Sequence, residues 1–265
     1  MSQTAQEPGT VPASRMEMGS GSISLFRAGA GDPVLFLHAA GGAGEWNPFH
    51  QRLSERFDLI APDHPGFGLS DDLPEVGTVD DLVYHYLDVL DRLELDRVDL
   101  VGASFGGWVA AALAVHSPER FRKIVLMAPV GLRVPEAPVA DLFILTPPQL
   151  VRALFSDPAM VEAVLGVQPG VDDILRSYRD MGALARYGWR PFLNDPKLER
   201  RLRRVSAPTR VVAAEHDAIV PRLHCERYAA GIPGAQLVVV PDCGHALYGE
   251  RPDAVAATVI DFLTD

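Results

Sequence analysis

The chain predicts an α/β fold, with a mostly parallel sheet, helices on both of its faces and an inserted helical segment. Three observations carry that prediction. Short apolar runs suited to buried strands alternate with segments whose apolar residues recur at helical spacing. One such run, Val98 to Val101, leads through Gly102-Ala103-Ser104-Phe105-Gly106 into a small-residue helix expected over Gly107 to Val115. The alternation then breaks between Pro129 and Ala207, where proline-punctuated helical segments replace strand-like runs.

Taken in order, the first twenty residues are polar, contain Pro8, Gly9 and Pro12, and lack the apolar core of a signal peptide. They read as a flexible tail over 1–20, although an opening strand pair is expected within Arg15 to Arg27. Pro33 to His38 reads as a buried parallel strand, Trp46 to Arg56 as a helix and Asp58 to Pro62 as the next strand. Asp63 to Ser70 is a turn-rich loop. Thr78 is placed to cap a helix, because its hydroxyl can accept from an unpaired first-turn N–H, and Asp80 and Asp81 suit the positive helix end. Leu82, Tyr86, Val89, Leu90 and Leu93 give that helix one apolar face. Lys123 to Ala128 is a further strand. The insertion is expected to hold helices at Ala140–Leu145, Pro148–Phe155, Ala159–Leu165 and Val171–Tyr187. It divides the chain into a core, 21–128 with 208–265, and a helical cap, 129–207. In Arg200-Arg201-Leu202-Arg203-Arg204 the single leucine among arginines reads as a solvated helix face. Thr209 to Ala214 and Val238 to Val240 complete the strands, and Arg251 to Leu263 forms the last helix.

The Gly-x-Ser-x-Gly unit between strand and helix is the sequence form of a nucleophile elbow. Side chains at Gly102 and Gly106 would collide with neighbouring elements as the backbone doubles back. A serine needs a base. Of eight histidines, His245 stands in Pro241-Asp242-Cys243-Gly244-His245, just after an apolar strand. An orienting carboxylate is expected after the preceding strand, in Glu215-His216-Asp217, and Asp217 is favoured over Glu215 and Asp242. The strand ending at Ala128 runs into Pro129-Val130-Gly131 and offers no carboxylate. Serine, aspartate and histidine thus follow one another in the chain order of one serine-hydrolase architecture. The oxyanion-hole donors are expected to be the N–H groups of Phe105, at a helix start, and Ala40, in the loop Ala39-Ala40-Gly41-Gly42-Ala43-Gly44. That loop completes neither a GxGxxG nor a GK[ST] pattern, which argues against a nucleotide.

With these motifs, and with His38-Ala39-Ala40-Gly41-Gly42 and Asp63-His64-Pro65-Gly66-Phe67-Gly68-Leu69-Ser70, the chain resembles α/β-hydrolase-fold enzymes over nearly its whole length. The set is specific for the superfamily and unspecific for substrate. One departure is Ala39, where relatives usually carry glycine after the histidine of the first loop. The resemblance implies acyl transfer to water: His245, oriented by Asp217, takes the Ser104 proton as the oxygen attacks a carbonyl. Ser104 stands where epoxide hydrolases and haloalkane dehalogenases of this fold carry an aspartate. Carbon–carbon bond hydrolases keep the serine, yet many carry tryptophan directly after the catalytic histidine, where this chain has Ala246.

Hydrolysis of a carboxylic ester or lactone is therefore ranked first. A carbon–carbon bond hydrolase, with Arg186, Arg190 or Trp189 serving a carboxylated substrate, is the alternative. A cofactor-free lyase, thioesterase or acyltransferase stays open, as does a ligand sensor on the same scaffold. Phe143 and Trp189 are the first candidates to line an apolar substrate pocket. A net charge of −11 argues against nucleic acid and anionic membrane surfaces, and the hydrolase resemblance implies a small-molecule substrate as partner. No metal or cofactor is expected, since neither HExxH nor a Cys/His ligand cluster is present. Cys225 and Cys243 make no disulfide framework and read as buried thiols. No apolar stretch is long enough to span a bilayer, and a cytoplasmic location is expected.

Overall fold

The computed structural model describes residues 11–41 and 44–265. In chain order the elements are β1 (Ser14–Met18), β2 (Gly21–Ala28), β3 (Pro33–Leu37), α1 (Pro48–Ser54), β4 (Asp58–Pro62), α2 (Val79–Arg92), β5 (Val98–Ala103), α3 (Phe105–His116) and β6 (Phe121–Met127). There follow α4 (Pro147–Leu154), α5 (Pro158–Gly166), α6 (Val171–Gly188), α7 (Leu198–Arg201), β7 (Thr209–Ala214), α8 (Leu223–Gly231), β8 (Gln236–Val240), α9 (Leu247–Glu250) and α10 (Pro252–Thr264). The strands form one sheet in the order β1-β2-β4-β3-β5-β6-β7-β8. The pairs β1–β2 and β2–β4 are antiparallel and the other five are parallel.

The central strands carry apolar runs, Val34–Leu37, Ile124–Met127 and Val211–Ala214 among them, because both sheet faces are covered. Alternate side chains enter two cores. Leu35, Leu37, Leu100, Ile124, Leu126 and Val211 pack with α2 and α3 on one face. On the other, Val34, Phe36, Val101, Val125, Met127 and Val212 meet Phe49 and Leu53 of α1 and Val255 and Val259 of α10. Thr78 caps α2 as its sequence suggests, accepting the Asp81 N–H while Asp81 accepts the Thr78 N–H, an arrangement worth about 1 kcal/mol.

Two expectations are corrected. The tail expected over 1–20 gives way to strand β1, which pairs with β2 from Ser14 to Met18; residues 1–10 lie outside the described residues. Ala140 to Leu145 forms a turn instead of a helix. Asp141 Oδ1 accepts the Phe143 N–H at 3.0 Å, a local bond that competes with helix, and Ala140 N–H is held by the Ile219 carbonyl at 2.9 Å.

The helices α4, α5 and α6 leave the sheet after β6, and the chain is pinched at their base. Gly131 N–H donates to the Leu193 carbonyl at 3.0 Å and Asp195 N–H to the Gly131 carbonyl at 2.9 Å. Gly131 has φ +104°, and a Cβ there would lie 2.5 Å from the Trp108 ring, so only glycine fits.

Helix α6 docks on the 63–72 loop. Asp180 accepts the Gly68 N–H at 2.9 Å, Tyr187 donates to the Pro65 carbonyl at 3.0 Å, and Arg186 pairs with Asp72 at 2.9 Å. Burial raises the Asp180 carboxyl to about 6, with Asp63 adding to the shift and the Gly68 N–H, Arg179 and Arg176 opposing it. A carboxyl raised on folding contributes stability that is full below its unfolded value, near 3.8, and lost as pH rises through about 6. Asp180→Asn keeps an acceptor for Gly68 and removes the buried charge. It is expected to melt up to about 5 °C above the wild type at pH 8, with the difference closing below pH 4. Thermal melts across that range measure it.

Candidate active site

The turn from β5 into α3 places Ser104. Its backbone, at φ 51° and ψ −110°, lies in a region that non-glycine residues rarely adopt, at a cost of about 1–3 kcal/mol. The Ser104 N–H bonds the Met127 carbonyl at 2.8 Å, and its own carbonyl accepts from Trp108 and Val130. The two glycines serve close approach. A Cβ on Gly102 would lie 2.4 Å from the Gly106 oxygen, and one on Gly106 would lie 2.2 Å from the Leu37 oxygen. The strained conformation itself therefore falls on the serine.

Parallel pairing of β7 with β8 brings Ala214 opposite Val240, so the loops that follow lie side by side. Glu215 N–H donates to the Val240 carbonyl at 3.0 Å and His216 N–H to the Cys243 carbonyl at 2.9 Å. Asp217 and His245 thereby meet, with His245 Nδ1 2.8 Å from Asp217 Oδ2 and His245 Nε2 2.9 Å from Ser104 Oγ. The other Asp217 oxygen accepts the N–H groups of Ile219 and Val220 at 2.9 and 2.7 Å, which fixes the carboxylate. The rival acids are elsewhere. Glu215 and Asp242 are exposed, and the Glu215 carboxylate accepts the Asp242 N–H. With His216 they bring ligand atoms within 4.8 Å of one another at the surface, while Asp217 points inward to His245.

Phe105 opens α3, and the N–H of a first helical residue has no intrahelical acceptor. Neither Phe105 N–H nor Ala40 N–H has a backbone partner among the described residues, as a donor to an oxyanion requires. Gly42 and Ala43 lie outside the described residues. The first loop is tied to the elbow through the His38 carbonyl, which accepts from Gly106 N–H at 3.1 Å and from His64 Nε2 at 3.0 Å. His64 N–H in turn donates to His38 Nε2 at 2.9 Å, and Tyr86 O–H bonds His64 Nδ1. This reciprocal pattern fixes both tautomers: His64 carries its proton on Nε2 and His38 on Nδ1. Burial pushes both histidines below their ordinary range, so they stay neutral donors and acceptors. Asp63 spans the neighbouring loops, accepting Gly44 N–H at 2.6 Å and Leu69 N–H at 2.9 Å. The sequence motif containing Asp63 and His64 was visible; their work depends on contact with His38, far away in the chain.

Phe143 and Trp189 meet edge to face at 5.1 Å, and Phe192 joins them at 6.0 Å. Trp189 remains 60 % exposed. Arg186 is engaged by Asp72, whereas Arg176 of α6 lies beside Gly44 and Glu45. Cys225 and Cys243 are buried and free, and burial pushes the Cys243 thiol up to about 12, which makes it a poor nucleophile. A groove of about 710 Å³ between α2, α3 and α7, floored by Trp108 and Leu198, shares no residue with the Ser104 site. Among the described residues no helix is long and apolar enough to cross a membrane.

The sequence model of the alpha/beta hydrolase family matches residues 34–258. The chain is 31 % identical over 260 residues to 2-hydroxymuconate semialdehyde hydrolase of Pseudomonas sp. (strain CF600), covering 91 % of this chain and 90 % of that protein. It is 30 % identical over 269 residues to 2-hydroxy-6-oxo-6-phenylhexa-2,4-dienoate hydrolase of Burkholderia cepacia, covering 92 % and 91 %. The solved 2-hydroxy-6-oxo-6-phenylhexa-2,4-dienoate hydrolase from Rhodococcus sp. strain RHA1 superposes with a TM-score of 0.78 at 25 % identity, over 97 % of this chain and 99 % of that one. The elbow, the chain order of serine, aspartate and histidine, and this similarity over nine-tenths of the sequence lead to one conclusion: the chain is a hydrolase and belongs to the alpha/beta hydrolase family.

Proposed function

We propose that the protein hydrolyses a carbon–carbon bond beside the 6-oxo carbonyl, ketone or aldehyde, of a 2-hydroxy-6-oxo-2,4-dienoate, with Ser104, His245 and Asp217 as its catalytic triad. The observation that carries this reading is the 31 % identity, over nine-tenths of both chains, to a 2-hydroxymuconate semialdehyde hydrolase. It displaces the ester or lactone reading that the sequence alone ranked first. The triad geometry supports the chemistry. His245 Nε2, 2.9 Å from Ser104 Oγ, can take the proton as the oxygen adds to the 6-oxo carbonyl. The Phe105 and Ala40 N–H groups, which have no backbone partner among the described residues, hold the resulting oxyanion.

A carbon leaving group demands more than an alkoxide does. It departs only when its electron pair is delocalised, and in the keto tautomer the conjugated 2-oxo acid supplies that sink. Cleavage leaves an acyl group on Ser104 and a dienolate, which takes the proton held by His245 and leaves as the dienol. Water then releases the acid, with His245 as base. The segment 129–207 serves as the cap over this site and Phe143 and Trp189 as its first lining residues, the contact between them supporting their joint role.

Ester or lactone hydrolysis is the second reading, favoured by Ala246 in the position after His245. A panel of 2-hydroxy-6-oxo-2,4-dienoates with methyl, propyl and phenyl at the 6-position, run beside p-nitrophenyl esters, separates the two. The expected result is a kcat/KM for the best dienoate at least about tenfold above the best ester. Phe143→Ala and Trp189→Ala should shift the preferred 6-substituent. Ester turnover dominating the panel would replace the first reading by the second.

A further inference from the structure

Glu250 is a carboxylate that neither the triad nor the oxyanion donors use, and it is only 5 % exposed. Its Oε2 accepts Gly244 N–H at 2.7 Å, from the residue directly before His245. Its Oε1 accepts Ser156 N–H at 3.0 Å, Ser156 O–H at 2.7 Å and Asp157 N–H at 2.8 Å, all in the link between α4 and α5. On the far side of His245, Ala246 N–H donates to the Leu154 carbonyl at 2.9 Å. The histidine is thus flanked by two links to one short segment of the insertion, from Ala246 directly to Leu154 and from Gly244 through the Glu250 carboxylate to Ser156 and Asp157. Gly244 permits the contact, since a Cβ there would lie 2.6 Å from the Leu154 oxygen and 2.8 Å from the Ser156 nitrogen.

We propose that Glu250 is a positioning residue that joins the α4–α5 link to the His245 loop, so that the cap and the catalytic base move as one body. The proposal rests on the serine-hydrolase reading and adds to it a route from cap to chemistry. Four N–H or O–H donors converge on one ionised carboxylate, and such charge-assisted bonds are shorter and stronger than neutral ones. No positive side chain pairs with Glu250 among the described residues; its charge is met by backbone and hydroxyl donors alone. A group packed against α4 or α5 therefore bears on the segment that holds His245 against Asp217 and Ser104. The 2.8 and 2.9 Å contacts of His245 leave little tolerance, because a displacement near 1 Å at a reacting group costs about 10²-fold in rate.

The test uses the full chain and fluorophosphonate labelling of Ser104, which requires the nucleophile and its base but no particular natural substrate. Glu250→Gln turns an amide NH₂ toward N–H donors. Labelling at pH 7 is expected to slow about 10²-fold, with kcat on a p-nitrophenyl ester falling alike and KM changing less than about threefold. Ser156→Ala removes a single donor and should fall between wild type and Glu250→Gln. The double variant should label no more slowly than Glu250→Gln, since both substitutions break one joint. The downfield proton resonance of His245 Nδ1, hydrogen-bonded to Asp217, should broaden in Glu250→Gln. Wild-type labelling and an unchanged resonance in Glu250→Gln would overturn the proposal even if melting temperature fell. Should Glu250→Gln fail to fold, Ser156→Ala decides, and wild-type labelling in that variant overturns the joint. A wild-type protein that does not label would instead overturn the serine-hydrolase reading itself.

Discussion

Ser104→Ala is expected to lower turnover of whichever panel substrate is best by about 10⁴- to 10⁶-fold. Only the attacking oxygen and one hydrogen bond, 2.9 Å to His245 Nε2, are lost. The fold should be unaffected. The strained backbone at residue 104, φ 51°, is held by the Met127, Trp108 and Val130 bonds, none of which involves the hydroxyl. Steady-state kinetics with a matched circular dichroism spectrum measures both halves of the expectation. A variant that kept turnover within tenfold of wild type would exclude a covalent serine mechanism.

The second large effect belongs to Asp217. Asp217→Asn is expected to reduce kcat by about 10³- to 10⁴-fold, because an amide replaces the acceptor of the His245 Nδ1 proton and the charge that stabilises the imidazolium. The two bonds from Ile219 and Val220 to the other oxygen can survive in the asparagine, so the loop should keep its shape. Glu215→Gln and Asp242→Asn should each cost less than about tenfold, since both side chains are exposed and face away from His245. Equal losses at all three positions would remove the assignment of Asp217.

Much of this site was legible in the chain before any tertiary contact was known. A nucleophile elbow is a local device: strand, two glycines and helix are contiguous, and the steric demand on Gly102 and Gly106 comes from elements that the same motif announces. The strands were legible because burial on both faces requires apolar runs such as Val34 to Leu37, Ile124 to Met127 and Val211 to Ala214. Asp217 and His245 were legible because parallel strands bring their C-terminal loops to one edge of the sheet. Sequence reading went astray where a short local bond outweighed periodicity, as at Asp141, whose carboxylate holds the Phe143 N–H and stops a helix from forming. It ranked the ester reading above the carbon–carbon alternative that the relatives favour, because a serine, aspartate and histidine in this order do not record which bond is attacked.

By itself, then, the sequence determined the architecture and singled out Ser104, His245 and Asp217, which the structure brings within hydrogen-bond distance of one another, because all of these leave contiguous or order-based signals. Only the tertiary structure decided how those groups are held. The His38–His64–Tyr86 lock and the raised carboxyl of Asp180 each need partners more than twenty residues apart. The bonds of Glu250 to Ser156 cross ninety-four positions of the chain. A buried carboxylate has no local signature, because its residue type is the same whether it faces water or four hydrogen-bond donors. What distinguishes the two cases is desolvation and the convergence of donors from separate elements, and both come into being only when the chain has folded.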